Sequence, residues 1–183
     1  MKDIVSFLRE DYHPWVVSLT NEERYAIRKY SWNSQETMIA EFFNRLNSFL
    51  RGKSTLEEKM LEKYSVLISK AIRKHLTTKG IICYRGTNYD MSEGASIGET
   101  FLYNQFTSTS VVKSRAFKRK YLFIIHVPPG TRAAYIEELS FYPRQRELLI
   151  DKNILYKVLS REDNLIELEV VSDDKKMVKK NLI

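Results

Sequence analysis

Gly80-Ile81-Ile82-Cys83-Tyr84-Arg85-Gly86 is where the 183-residue chain changes character. Before it, apolar residues recur at helical spacing. After it, short aromatic and β-branched runs alternate with turn residues. Upstream, Thr20 and Glu23 have the spacing of a capping box, with Leu19 placed as a staple before it. Ala26, Ile27 and Tyr30 then share one helix face. Met38, Ile39, Phe42, Phe43, Leu46, Phe49 and Leu50 make a second stripe that ends at Gly52. Ser54 with Glu57 opens a third helix, striped by Leu56, Met60, Leu61, Tyr64, Leu67, Ile68, Ala71 and Ile72. Downstream, strand-like runs cover 81–84, 106–112, 121–127, 133–136, 146–150, 154–159 and 165–171, and Pro128-Pro129-Gly130 marks a turn. No repeat, low-complexity segment or linker divides the chain. The expectation is a single catalytic α+β domain over 1–183. Its N-terminal helices, over 1–79, pack on a mostly antiparallel two-sheet β core over 80–172, and a polar tail follows over 173–183.

Hydrophobic residues make up 43% of the chain and charged residues 29%, the balance of a globular protein rather than a disordered one. Thirty Lys and Arg against 23 Asp and Glu leave a net charge of +7, which favours anionic partners without choosing among phosphates, nucleic acid and acidic protein surfaces. The single cysteine, Cys83, excludes an internal disulfide and a multi-cysteine zinc site. His13, His75 and His126 lie far apart with no His-Glu-x-x-His spacing, so no metal is expected. No apolar run approaches the roughly 20 residues that cross a bilayer, so no membrane contact is expected. Met1 to Asp11 does not read as a secretory signal.

Three segments of the β-rich half can carry chemistry: Tyr84-Arg85-Gly86, Phe106-Thr107-Ser108-Thr109-Ser110 and Gln145-Arg146-Glu147. Each alone has an ordinary reading. An arginine at a strand end is usually a solvated charge, and Thr/Ser alternation is usual on a half-exposed strand. Gln145 and Glu147 would share one face of a strand simply because residues i and i+2 do.

Their joint order is more specific. Arg85 is followed by Ser-Thr-Ser 23 positions on (85 to 108) and by Gln-x-Glu a further 37 positions on (108 to 145). This resembles the Arg / Ser-Thr-Ser / Gln-x-Glu signature of mono-ADP-ribosyltransferase toxins, and most closely the small botulinum-type Rho-inactivating exoenzymes. Leu46-Asn47-Ser48-Phe49-Leu50-Arg51 matches the helix end of those enzymes. Gly130 to Ile136, followed by Ser140, Tyr142, Gln145 and Glu147, matches their second long motif. The resemblance runs from about Leu19 to Val171.

It implies an ADP-ribosyltransferase-like fold and NAD as substrate. Cleaving the bond between nicotinamide and ribose passes through an oxocarbenium-like sugar, as glycoside cleavage does. Glu147 is the candidate that stabilises this charge, and Ser108 the residue that aims it. Arg85, followed by Gly86, would grip the pyrophosphate with its planar fork of donors. Arg51 looks like the family's second phosphate-side arginine. Asn47, one turn earlier, would face the same cleft. Residues 113–120 hold five basic side chains in eight. In the family this region is a mobile loop, one residue longer, whose aromatic packs on nicotinamide and whose arginine reaches a phosphate. Phe117 and Arg119 fit best, and Arg115 or Lys118 can take the phosphate role instead. The same run also suits a solvated face or a nucleic-acid patch.

Gln145 bears on the acceptor. A glutamine cannot act as a base, but its amide can pair with another amide. This suits an asparagine, and the resemblance implies that of a Rho-family GTPase, with Tyr142 docking on the target. The family often has glycine just before the Gln, where this chain has Pro143-Arg144, a departure that bears on the target loop. The expectation is therefore an NAD-dependent protein-asparagine ADP-ribosyltransferase with side NAD glycohydrolase activity. It would be a monomeric bacterial virulence factor, secreted and acting in host cytosol. Two alternatives are an ADP-ribosyltransferase acting on guanine in DNA, which the +7 charge would suit, and a catalytically inactive binding module of the same fold.

Overall fold

A computed structural model describes residues 3–32, 41–53 and 55–171. Four helices come first: α1 (Ile4–Ser18), α2 (Asn21–Ser31), α3 (Phe42–Leu50) and α4 (Glu58–Ile72). Eight strands follow: β1 (Ile81–Thr87), β2 (Thr100–Tyr103), β3 (Thr107–Ser110), β4 (Tyr121–Val127), β5 (Ala133–Tyr135), β6 (Glu147–Ile150), β7 (Ile154–Glu162) and β8 (Leu165–Val170).

Local chemistry explains most helix ends. The Asp3 carboxylate accepts from the Val5 and Ser6 amides and starts α1, a helix that the apolar spacing did not single out. The expected capping box opens α2: the Glu23 amide donates to Thr20 Oγ1 at 3.2 Å, and the Thr20 amide to Glu23 Oε2 at 2.8 Å. Leu19 is buried, but the fourth helical position is Arg24 rather than an apolar partner. Arg24 donates instead to the carbonyls of Leu19 and Val17, so the staple is polar. At the end of α3, Gly52 takes φ +83 and its amide donates to Phe49 O at 2.8 Å, a closing turn that suits glycine.

Two expectations are corrected here. The third helix begins at Glu58, and its flanking Glu57 makes no side-chain cap. Glu57 takes the Arg45 guanidinium on both oxygens at 2.6 Å, and Leu56 is fully exposed rather than on the apolar stripe. Met38, Ile39, Ser54 and the tail over 173–183 lie outside the described residues.

The strands form one eight-stranded sheet in the order β2-β7-β8-β4-β1-β3-β6-β5. Every pairing is antiparallel except β4 with β8. The join between β1 and β3 is a single registered pair, Tyr84 with Ser110. The expected two-sheet core is therefore two halves of one sheet, five and three strands wide, joined at that pair. The helices pack over it: Tyr12 of α1 donates to Ala133 O on β5, and Trp15 Nε1 to Ala71 O on α4. No helix among the described residues is long and apolar enough to cross a membrane.

Candidate active site

The site grows from the narrow join. Ser110 pairs with Tyr84 of β1 on one side and with Glu147 of β6 on the other, so three strands meet there in register. Alternation then sorts the Ser-Thr-Ser side chains. Thr107 accepts from the buried Tyr156 hydroxyl at 3.0 Å, and Thr109 donates to Leu148 O at 2.7 Å. Ser108 and Ser110, on the other face, turn to the Gln-x-Glu element. Ser108 Oγ donates to Glu147 Oε1 at 2.5 Å, and Ser110 Oγ donates to Gln145 O at 2.7 Å. Arg85 completes the group by donating from Nη1 to the Ser108 carbonyl at 2.7 Å.

These residues open into a cleft of about 590 Å³. All ten residues singled out from the sequence line it: Asn47, Arg51, Arg85, Gly86, Ser108, Phe117, Arg119, Tyr142, Gln145 and Glu147. Asn47 sits on the last turns of α3 and donates to the Tyr30 hydroxyl at 3.1 Å, while Arg51 at that helix's end donates to Gln105 Oε1 at 2.5 Å. Of the basic residues left open in 113–120, Arg115 and Arg119 line the cleft and Lys118 is not among its walls. The Arg119 guanidinium lies 5.5 Å from the centre of the exposed Phe117 ring. Gly86 is where this loop crosses β1: a Cβ there would lie 1.7 Å from the Phe117 carbonyl oxygen.

The departure before Gln145 falls elsewhere than expected. Pro143 and Arg144 form a short 3-10 turn with Gln145, a conformation open to both. The positive φ, 53°, belongs to Arg146 between Gln145 and Glu147.

Glu147 is the electrostatic centre. Its side chain is 4% exposed, and burial pushes its carboxyl up from the usual 4.5 to about 7, against the pull of the Ser108 hydrogen bond and the Arg85 charge. If the ionised form is the working one, turnover of NAD at low concentration should rise with pH through about 7. Initial rates of NAD hydrolysis from about pH 5 to about pH 9 check this, and a flat profile would reject a charged Glu147 as the working group. Stability runs the other way. The folded carboxyl holds its proton more tightly than the unfolded one, so its contribution is present below about 4.5 and lost as pH rises through about 7.

The donor set fits a dinucleotide on independent grounds. Arg85 Nε and Asn47 Oδ1 are buried polar atoms with no hydrogen-bond partner, and both belong to the cleft. Guanidiniums of Arg51, Arg85, Arg115 and Arg119 suit a pyrophosphate, and the volume suits a ligand of this class. The motif reading passed over Ser110, although it shares a strand face with Ser108. It also passed over Tyr30, Tyr89 and Gln105, which line the cleft, and the neighbouring Tyr103. The Tyr89 and Tyr103 hydroxyls lie 3.0 Å apart, and both phenols stand close to Arg85.

A family model described as ADP-ribosyltransferase exoenzyme matches residues 5–183. A protein of Enterococcus faecalis named NAD(+)–arginine ADP-ribosyltransferase EFV is 27% identical over 177 residues, 91% of this chain. The chain spans 34% of that relative's length. Plx2a, an ADP-ribosyltransferase toxin from Paenibacillus larvae, superposes with a TM-score of 0.74 at 22% identity, covering 91% of this chain and 94% of that one. A single-domain ADP-ribosyltransferase from Clostridium botulinum superposes at 0.70 with 16% identity, covering 93% and 96%. At such identities the two superpositions speak for the fold alone.

Proposed function

Because the chain belongs to the ADP-ribosyltransferase exoenzyme family, a family of NAD-dependent ADP-ribosyltransferase toxins, we propose that it transfers ADP-ribose from NAD to an asparagine of a Rho-type GTPase. NAD hydrolysis would be its side reaction when no target is bound. The observation that carries this reading is the pair of side chains at the end of the cleft, the acid Glu147 and the amide Gln145.

In this reading Arg85, Arg51 and Arg119 hold the pyrophosphate. Glu147, aimed by Ser108, faces the ribose next to nicotinamide. The bond from ribose C1′ to the nicotinamide nitrogen breaks, and its electron pair leaves with nicotinamide. The carboxylate stabilises the positive charge left on the sugar. The acceptor amide nitrogen then bonds to C1′ and gives up a proton. Gln145 contributes no base but can present donor and acceptor to another amide, which orients it for attack. Tyr142, 37% exposed beside Gln145, is the surface against which the target docks. The protein acts as a bacterial toxin in the cytosol of a host cell.

A second reading takes arginine as the acceptor, and the name of the Enterococcus faecalis relative favours it. The acceptor residue separates the two. Labelled NAD would be incubated with purified Rho-type GTPase, arginine-rich protein and duplex DNA, and the modified residue mapped by mass spectrometry. Asparagine on the GTPase is the expected product; arginine or guanine would replace it as the acceptor. Gln145→Ala should lower transfer to protein by about tenfold or more, the worth of a lost orienting hydrogen bond, and leave NAD hydrolysis within about twofold. Equal loss of both activities would place Gln145 in the cleavage step instead.

A further inference from the structure

Arg146 lies between the two working side chains, yet it is not among the residues lining the cleft. Its backbone is left-handed, with φ 53° and ψ 49°. This turn carries the chain from the 3-10 turn at Pro143–Gln145 directly into β6, so that Gln145 and Glu147 face one cleft. An L-residue with a Cβ resists this conformation, and arginine has no local hydrogen bond to favour it, as asparagine would. Something else must hold it.

The backbone is tied on both sides, by Val111 N to Arg146 O at 3.0 Å and by Ile136 N to Glu147 O at 3.1 Å. The side chain is tied behind the cleft. Its guanidinium forms an ion pair with Oε1 of Glu137, the second residue after β5. Glu137 is itself clamped: Arg9 of α1 donates from Nε to Oε2 at 3.0 Å and from Nη2 to Oε1 at 2.8 Å, and the Tyr135 hydroxyl donates to Oε2 at 2.7 Å. The Glu137 side chain is 11% exposed and that of Arg146 27%, so this pair is far less screened than an ordinary surface ion pair. None of Arg9, Tyr135 and Glu137 lines the cleft.

We propose that Glu137, clamped by Arg9 and Tyr135, is a positioning residue that holds Arg146 left-handed and so sets the aim of Gln145 and Glu147. The first helix thereby braces the catalytic strand from behind. This rests on the reading of Glu147 and Gln145 as working groups. A group held slightly off its productive position loses rate rather than ground-state binding, and errors near 1 Å can cost up to about a hundredfold.

The test compares Glu137→Gln, Arg146→Ala and Arg146→Gly in steady-state NAD hydrolysis. The first two should lower kcat by about tenfold and leave the KM for NAD within about twofold. Arg146→Gly should recover most of the loss, because glycine adopts the left-handed conformation without a brace. Native kcat in Arg146→Ala or Glu137→Gln would overturn the proposal, and so would a glycine variant as slow as the alanine one. The Arg146 side chain is partly exposed, so its variants carry the test even where Glu137→Gln folds poorly. No NAD turnover by the unaltered chain would refute the function reading and not this one. A crystal structure of Arg146→Ala reads the same point without catalysis: residue 146 is expected to leave the left-handed region, and retention of its native φ would overturn the brace.

Discussion

Glu147→Gln should lower NAD turnover by on the order of 10²–10³-fold, the scale of removing one group that stabilises developing charge in a dry site. The change is nearly isosteric. The new amide oxygen can still accept from Ser108 Oγ, which lies 2.5 Å from the native carboxylate, so the side chain keeps its place and loses only its charge. NAD affinity should change little, since the phosphate-side arginines are untouched. The same substitution should stabilise the fold above neutral pH. Keeping a carboxylate ionised in this environment, with its proton affinity raised to about 7, costs the native state on the order of a few kcal/mol that a neutral amide does not. A slower but more heat-resistant enzyme at about pH 8 is thus the expected pairing, as at other sites where function is held against stability. Turnover within about threefold of native would mean that the charge is not used.

Gly86→Ala should be the second severe change, although it adds one methyl group. The added carbon would lie 1.7 Å from the carbonyl oxygen of Phe117 and 2.8 Å from its carbonyl carbon. Both are backbone atoms that no side-chain rotation can move aside. Gly86 is locked in register between β1 and β4, opposite Leu122, so the loop over 113–120 must give way. It would take Phe117 and Arg119 with it, away from the cleft they line. We expect kcat/KM for NAD to fall on the order of a hundredfold, mostly through weaker binding, with a small change in melting temperature because the loop is exposed. Native kinetics would show that the close crossing of loop and strand has no part in NAD binding.

The site was more legible than the sheet that builds it. Arg85, Ser108 and Glu147 could be read because each is a residue type the chemistry needs at a fixed order along the chain. Alternation in β3 then placed Ser108 toward the acid. Ser110 was readable by the same rule but carries no charge or nucleophilic task of its own, so its bond to Gln145 O went unnoticed. Strand β2 was missed because it is a four-residue edge strand with Leu102 57% exposed, and it follows a glycine that reads as loop. Helix α1 was not singled out, because Pro14 interrupts an otherwise regular stripe of Leu8, Tyr12, Trp15 and Val16. The parallel contact of β4 with β8 has no local signature at all, since the pairing is between strands separated by three others in the chain. The left-handed turn at Arg146 was equally hidden. A glycine would have announced it, whereas an arginine held from behind by Glu137 does not.

The central claim is that Glu147 and Arg85, both hydrogen-bonded to Ser108, act on a single bound dinucleotide. A crystal structure of Glu147→Gln with NAD tests it most directly, because the slowed variant preserves the substrate. The expected result has the nicotinamide-side ribose within hydrogen-bond reach of residue 147 and the pyrophosphate against the guanidinium of Arg85. NAD seated with neither group in contact, or on another surface of the protein, would contradict it.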